Sequence, residues 1–126
     1  MKMVKRAREI LDIEIKELQR VRAQLGKEFS RAAQLILDGL NRDGKIVVAG
    51  VGKSFHIGQK IAATLASTGS PSVTLHPSQA MHGDIGIIGG RDILLALSHS
   101  GESAEILEIL PVVKRLHAEM YNKMGD

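Results

Sequence analysis

The chain has 126 residues, of which 44% are hydrophobic and 25% charged, enough for one domain with a genuine core and too apolar for a disordered chain. Its formal charge is +3, and the basic excess sits in residues 1–45, which hold 11 Lys/Arg against 7 Asp/Glu. With no cysteine there is no disulfide framework, no thiolate nucleophile and no thiolate metal site.

Phe29, Phe55 and Tyr121 are the whole aromatic set, too few for the stacking platforms of single-stranded nucleic-acid binders. The basic residues of the first 45 alternate with acids, so no nucleic-acid partner is expected. Residues 1–20 alternate charges with aliphatics, and no apolar run reaches 18 residues. These patterns predict no membrane segment and no signal peptide, and hence a cytoplasmic protein.

In chain order, residues 1–44 read as a helical segment. Leu11, Ile15, Leu18, Leu25, Phe29, Ala32, Ile36 and Leu40 recur at threes and fours, interrupted only at Arg22, the spacing of one helical stripe. Gly26 lies off it and marks a bend or a boundary between two helices, and Asn41, Asp43 and Gly44 end the helical region. With Ile10 and Ile13 added, the apolar surface exceeds what one stripe needs, which fits either a partner subunit or packing on the chain's own domain.

From Lys45 the period changes. Ile46 to Ala49 is a short apolar run before Gly50, the pattern of a buried parallel strand. A helix is expected over 54–68, with Ile57, Ile61, Ala62 and Leu65 inward and Gly58, Ala63 and Ala66 permitting close packing. A second strand is expected from Ser72 to His76, a glycine-rich connection over 77–90, a third strand from Asp92 to Leu97, and a final helix carrying Ala104, Leu107, Leu110, Val113 and Leu116. Pro111 should kink or divide that helix, because its ring removes a donor and crowds the Leu107 carbonyl. Strand alternating with helix predicts an α/β fold with a parallel sheet. Three strands make a partial sheet, and an open edge after the third leaves unpaired backbone groups for another chain or segment to cover.

Gly50-Val51-Gly52-Lys53-Ser54 falls where a strand meets a helix, the place where backbone donors converge on an anion. A Walker A loop needs glycine at position 47, which is Val47. A dinucleotide loop needs glycine at position 55, which is Phe55, and an acidic residue near the end of the second strand, where His76 stands. Both readings fail. Ser98, Ser100 and Ser103 surround Gly101 at the end of the third strand, with Ser103 at an N-cap position. Such serines often do no more than cap a helix, but hydroxyls joined to free helix N–H groups also make an anion cup. Two such loops, one with Lys53 and Ser54, point to a small ligand bearing a phosphate at the carboxyl edge of the sheet.

The ordered motifs Gly50 to Gly58, Ala66 to Ser72, His76-Pro77, Ala80 to Asp84 and Ser98 to Ser103 resemble the sugar isomerase (SIS) domain of arabinose 5-phosphate isomerases, from about Lys45 through Leu116. The resemblance implies a three-layer α/β/α domain with N-terminal helices, here a partial one: residues 1–44 as its helical segment and 45–126 as its phosphosugar-binding core. It also implies a homo-oligomer, a tetramer being favoured, and interconversion of ribulose 5-phosphate and arabinose 5-phosphate toward the Kdo sugar of lipopolysaccharide or capsule. The paired CBS domains of many members have no counterpart in these residues.

Carried over position by position, Gly52, Ser54, Ser98, His99, Ser100 and Ser103 are expected as ligands of a phosphorylated pentose, and Lys53, His82 and Glu105 as catalytic residues. No cofactor or metal is required by the family's reaction, although His82 and its neighbours offer a site for inhibitory zinc. The residue types suit the chemistry: moving a carbonyl between C1 and C2 needs a base, a cis-enediol and return of the proton, while Lys53 stabilises oxyanion charge and the serines fix the phosphate. Plainer readings stand beside these. Glu105 belongs to a Glu102, Glu105, Glu108 series that fits a solvent face, His56 and His76 fit packing or capping, and His82 fits either role.

Three departures from the family pattern stand out. Phe55 occupies the usual glycine position after Lys-Ser, His99 the usual asparagine position, and the further strands, second glutamate and C-terminal histidine that the family pattern expects find no match before Asp126. A phosphosugar-binding or oligomerisation module without turnover is therefore the alternative to an isomerase.

Overall fold

The computed structural model describes residues 1–99 and 103–116. They fall into two units, residues 1–33 and residues from 34 onward.

The first unit is helical. Helix α1, Lys2–Gln24, has no buried residue. Ion pairs one turn apart, Arg6 with Glu9 at 3.2 Å and Arg20 with Glu17 at 2.7 Å, lie on its surface, where each is worth a few tenths of a kcal/mol. Leu25 turns extended at φ −64° and ψ 126°, and α2, Lys27–Asn41, starts just after Gly26, the boundary that the glycine predicted. Leu11, Ile15, Leu18, Leu25 and Phe29 remain 52–69% exposed, so nothing in their own unit covers them.

The second unit is the α/β layer. Strands β1, Ile46–Ala49, β2, Ser72–Leu75, and β3, Ile93–Ala96, are parallel in the order β2-β1-β3. The central strand β1 is buried at every position, which is why its sequence is continuously apolar. On one face Val47, Ala49, Leu75 and Leu94 meet Ala80, Ile88 and the helix α5, Ala104–Leu116, through Ile106, Ile109 and Val113. On the other, Ile46 and Val48 meet Ala62 of α3, Lys53–Ser67, and the ends of Ile36 and Leu40 from α2. Helices thus cover both faces, giving the expected α/β/α layering. Ile109 is fully buried, and its truncation to alanine would cost about 2–5 kcal/mol.

Close backbone approach ties α2 to the sheet. A side chain at Gly39 would collide with Ile93, and one at Gly44 with the Arg91 carbonyl. The helix stops where the sequence predicts, with Asp43 in the left-handed region at φ 63° and the Gly44 N–H donating to Gly39 O at 2.9 Å.

Several expectations need correction. Ile57 is 58% exposed, because α3 packs through Ala62 with Ile61 and Leu65 and turns Ile57 outward. Only Gly58 of the predicted small residues makes a close approach, its absent Cβ lying 3.1 Å from Val48 Cγ1, whereas Ala63 and Ala66 are exposed. In α5 the buried face is Ile106, Ile109 and Val113, with Leu110 packed against the same core, whereas Ala104 and Leu107 point to solvent. The two apolar stripes of this helix have equal spacing, and contact with Val47 and Leu94 decides between them. Pro111 lies inside α5 without dividing it. The 77–90 connection holds a one-turn helix α4, Pro77–Ala80, and a 3₁₀ turn, Asp84–Ile87, that composition did not reveal.

Candidate functional site

The registers place Ala49 beside Leu75 and Ala96, so the chain leaves all three strands at one edge. From β1 it passes to α3 on one face, and from neighbouring β3 to α5 on the opposite face. Diverging connections from adjacent strands open a crevice at the carboxyl edge, the usual ligand position in open α/β sheets.

The β1 side of that crevice is built from glycine. A Cβ on Gly50 would lie 2.8 Å from the Ser54 carbonyl carbon and 2.9 Å from the Phe55 nitrogen, so only glycine lets the strand end touch the first turn of α3. Gly52, the N-cap of α3, turns the chain at φ 61° and ψ −126°, and no side chain caps the helix. The unpaired donors and positive dipole end of a helix favour an anion there. Lys53 is exposed and Ser54 half-buried at this helix start, where a cation and a hydroxyl add to that field.

The β3 side carries Ser98 and Ser103, both half-buried, with their Oγ atoms 3.0 Å apart. Ser103 occupies the N-cap position, its carbonyl accepting from Leu107 N at 3.0 Å. Exposed His99 follows Ser98, and exposed Glu105 sits in the first turn of α5. Ser100 lies outside the described residues.

His82 is exposed in the turn after α4, its N–H donating to Gln79 O at 3.0 Å. Gly52, Lys53 and Ser54 thus lie on the β1 side of the crevice and Ser98, His99, Ser103 and Glu105 on the β3 side, while His82 lies on the connection after β2. Among the described residues no three His, Asp or Glu side chains form a metal-ligand set.

Two features go beyond the sequence reading, which gave His76 a packing or capping role without naming its partners. The Phe55 ring meets His76 edge-on, centroids 5.1 Å apart and planes at 72°, and His76 Nδ1 accepts from Ser78 N at 3.2 Å, capping α4. His76-Pro77-Ser78 was the available signal, since proline at the first helical position often follows a capping residue. His56, by contrast, pairs along its own helix with Gln59 Oε1 at 3.2 Å.

The second feature is a part-buried ion pair at the opposite edge. Asp92 is 7% exposed; its carboxylate pairs with Lys45 Nζ and accepts from Lys45 N at 2.9 Å and Gly89 N at 2.6 Å. Burial pushes this carboxyl up, but the hydrogen bonds and charge of Lys45 and the Gly89 N–H outweigh it, holding Asp92 below the usual carboxylate value. The pair precedes β1 and β3 and clamps their starts, away from the crevice.

A parallel α/β/α layer with a glycine-turned helix start and a serine loop at its topological switch defines an open α/β domain whose carboxyl edge offers helix-start donors and hydroxyls. Residues 39–121 match the SIS domain, and the chain belongs to that family. It is 50% identical over 104 residues to the arabinose 5-phosphate isomerase KdsD of Pseudomonas aeruginosa, covering 82% of this chain and 31% of that protein. Against the arabinose 5-phosphate isomerase GutQ of Escherichia coli the identity is also 50%, covering 82% of this chain and 32% of the relative. The chain thus spans about a third of the length of these curated relatives. A solved Escherichia coli structure in complex with arabinose 5-phosphate is 40% identical, with a TM-score of 0.74, covering 90% of this chain and 60% of that one. Among the described residues no helix is long and apolar enough to cross a membrane.

Proposed function

We propose that the crevice between the loops after β1 and β3 binds a phosphorylated pentose, and that the chain forms the phosphate-binding part of an aldose–ketose isomerase interconverting ribulose 5-phosphate and arabinose 5-phosphate. The observation that carries this reading is the pairing of a glycine-turned α3 start, bearing Lys53 and Ser54, with the Ser98 and Ser103 hydroxyls across the sheet's switch point. Likeness to the solved protein in complex with arabinose 5-phosphate supports the same ligand class.

In this reading the helix start, Ser54, Ser98, Ser100 and Ser103 fix the phosphate, and Gly52 lets the backbone approach it. That remote contact orients the reacting carbons. Lys53 stabilises the oxyanion as the carbonyl shifts through a cis-enediol, Glu105 moves or positions the C1/C2 proton, and His82 and His99 hydrogen-bond the sugar. These proton transfers call on no organic cofactor. The product would serve Kdo synthesis in the cytoplasm. The exposed aliphatic stripe of the N-terminal helices supports assembly with further copies of the chain, a tetramer in the family's manner.

Glu105 and His82 are both exposed, and this favours a second reading, a phosphosugar-binding module without turnover. Incubation with ribulose 5-phosphate in D₂O separates the two. Deuterium entry together with arabinose 5-phosphate supports the isomerase, saturable binding without exchange supports the module, and absence of both removes the phosphosugar reading.

A further inference from the structure

We propose that His76 is a positioning residue that sets the His82 turn against the Gly50–Ser54 loop, with Phe55 as its brace. In its effect on ligand this rests on the phosphosugar reading; in its structural content it stands alone.

Helix α4 has four residues, far too few to persist by local propensity. Its first residue, Pro77, has no N–H to satisfy. Each of the next three donors is taken by His76: Ser78 N by its Nδ1 at 3.2 Å, and Gln79 N and Ala80 N by its carbonyl at 3.0 Å each. The ladder continues from α4 into the turn, with His82 N donating to Gln79 O at 3.0 Å and Gly83 N to Ala80 O at 3.2 Å. Pro77 and Ala80 are buried, so α4 is held from below by packing and at its start by one residue.

A backbone N–H can only donate, so His76 Nδ1 is an acceptor and its ring proton is on Nε2. The Ser78 hydroxyl, 2.7 Å from that nitrogen, therefore donates as well. Asparagine or serine would cap the helix equally well, but would not offer a ring to Phe55. The edge-on contact at 5.1 Å joins half-buried His76 to the first turn of α3, two residues after Lys53. The His82 turn, on the connection after β2, is thereby set against the helix start that carries Lys53 through one imidazole.

The test uses the whole chain and three variants: His76→Ala, which loses cap and brace, His76→Asn, which keeps a capping oxygen without the ring, and Phe55→Gly, which loses the brace and leaves the cap. In the unliganded protein, long-range proton–nitrogen NMR is expected to show the Nε2–H form of His76. His76→Ala is expected to displace the imidazole signals of His82 and the amide signals of 79–83, His76→Asn to restore the amide signals, and Phe55→Gly to displace the His76 ring signals. Arabinose 5-phosphate affinity should fall about 10-fold in His76→Ala, the scale of a small misplacement, and recover only in part in His76→Asn, which restores the cap but not the ring contact with Phe55, with affinity for inorganic phosphate unchanged in both. An Nδ1–H form, or His82 signals unmoved by His76→Ala, overturns the proposal. If His76→Ala does not fold, the tautomer and His76→Asn decide it. A wild-type chain that binds no sugar phosphate defeats the phosphosugar reading, while the unliganded spectra still judge the role of His76.

Discussion

Ser98 and Ser103 meet hydroxyl to hydroxyl at 3.0 Å, the first at the end of β3 and the second at the start of α5. An arriving phosphate can replace this mutual hydrogen bond with charge-assisted ones, which are worth about 1.5–3 kcal/mol each. Ser103→Ala is expected to weaken sugar-phosphate binding about 10-fold and to cost about 1 kcal/mol of stability through the helix start. Ser103→Thr, which keeps the hydroxyl, should restore most of both. Calorimetric titration and thermal melts measure the two effects, and an unaltered affinity in Ser103→Ala would remove it from the ligand set.

Lys53 is exposed at its helix start, so its replacement should touch binding without touching the core. Lys53→Ala is expected to lower arabinose 5-phosphate affinity by at least about 10-fold, the worth of one charge-assisted contact, with the melting temperature unchanged. Binding to the wild type should weaken as salt rises, and that dependence should be shallower in the variant. Equal affinities for the two proteins would count against Lys53 as an anion ligand.

Gly50 tests the wall from the backbone side. A methyl group there, 2.8–2.9 Å from the Ser54 and Phe55 backbone, forces the start of α3 away from β1. Gly50→Ala should cost about 1–3 kcal/mol and abolish phosphate binding even though every polar ligand is still present. Retained phosphate affinity in a folded Gly50→Ala protein would show that the close approach is not needed.

The strands and helices were legible because burial on both faces writes β1 as Ile46-Val47-Val48-Ala49, and because Gly26, Gly44 and Gly50 punctuate real boundaries. The glycine loop after β1 and the serine loop after β3 were legible for the same local reason. Strand order was not, since periodicity says nothing about which strand stands beside which, and the crevice between β1 and β3 depends on that order. The buried face of α5 was only partly legible, Val113 and Leu110 meeting the core but not Leu107, because Leu107 and Ile106 suit helical spacing equally well and only contact with the sheet separates them. Asp92 read as a strand start, since its partners are Gly89 and, 47 positions earlier in the chain, Lys45.

The leucines of α1 and the turn after it make a prediction about assembly. Leu11, Leu18 and Leu25 recur every seven residues and are 56%, 69% and 56% exposed, the spacing of a helix-to-helix seam. If further copies of the chain cover them, Leu11→Glu with Leu18→Glu should shift the mass in sedimentation from an oligomer to a monomer without unfolding the α/β layer. A wild-type chain that sediments as a monomer at all concentrations contradicts the assembly outright.

Asp92 gives the pH dependence. Its carboxyl is held below the ordinary value in the folded chain, so the unfolded chain binds a proton there at higher pH than the folded one does. The stabilisation is complete above the unfolded value, about 3.9, and is lost as pH falls through the lower folded value. Asp92→Asn leaves Lys45 without its counter-charge and sets an amide against two N–H donors. Since the Lys45 side chain is 31% exposed, the cost at pH 7 should be at the low end for a broken buried pair, about 2–3 kcal/mol. The gap between wild type and variant should then narrow as pH is lowered from about 4 toward 2.5, because acid removes from the wild type the charge that the substitution has already removed. Thermal melts of both proteins across that range measure it, and a gap that stays constant would mean that packing around Asp92, not its ionisation, clamps β1 to β3.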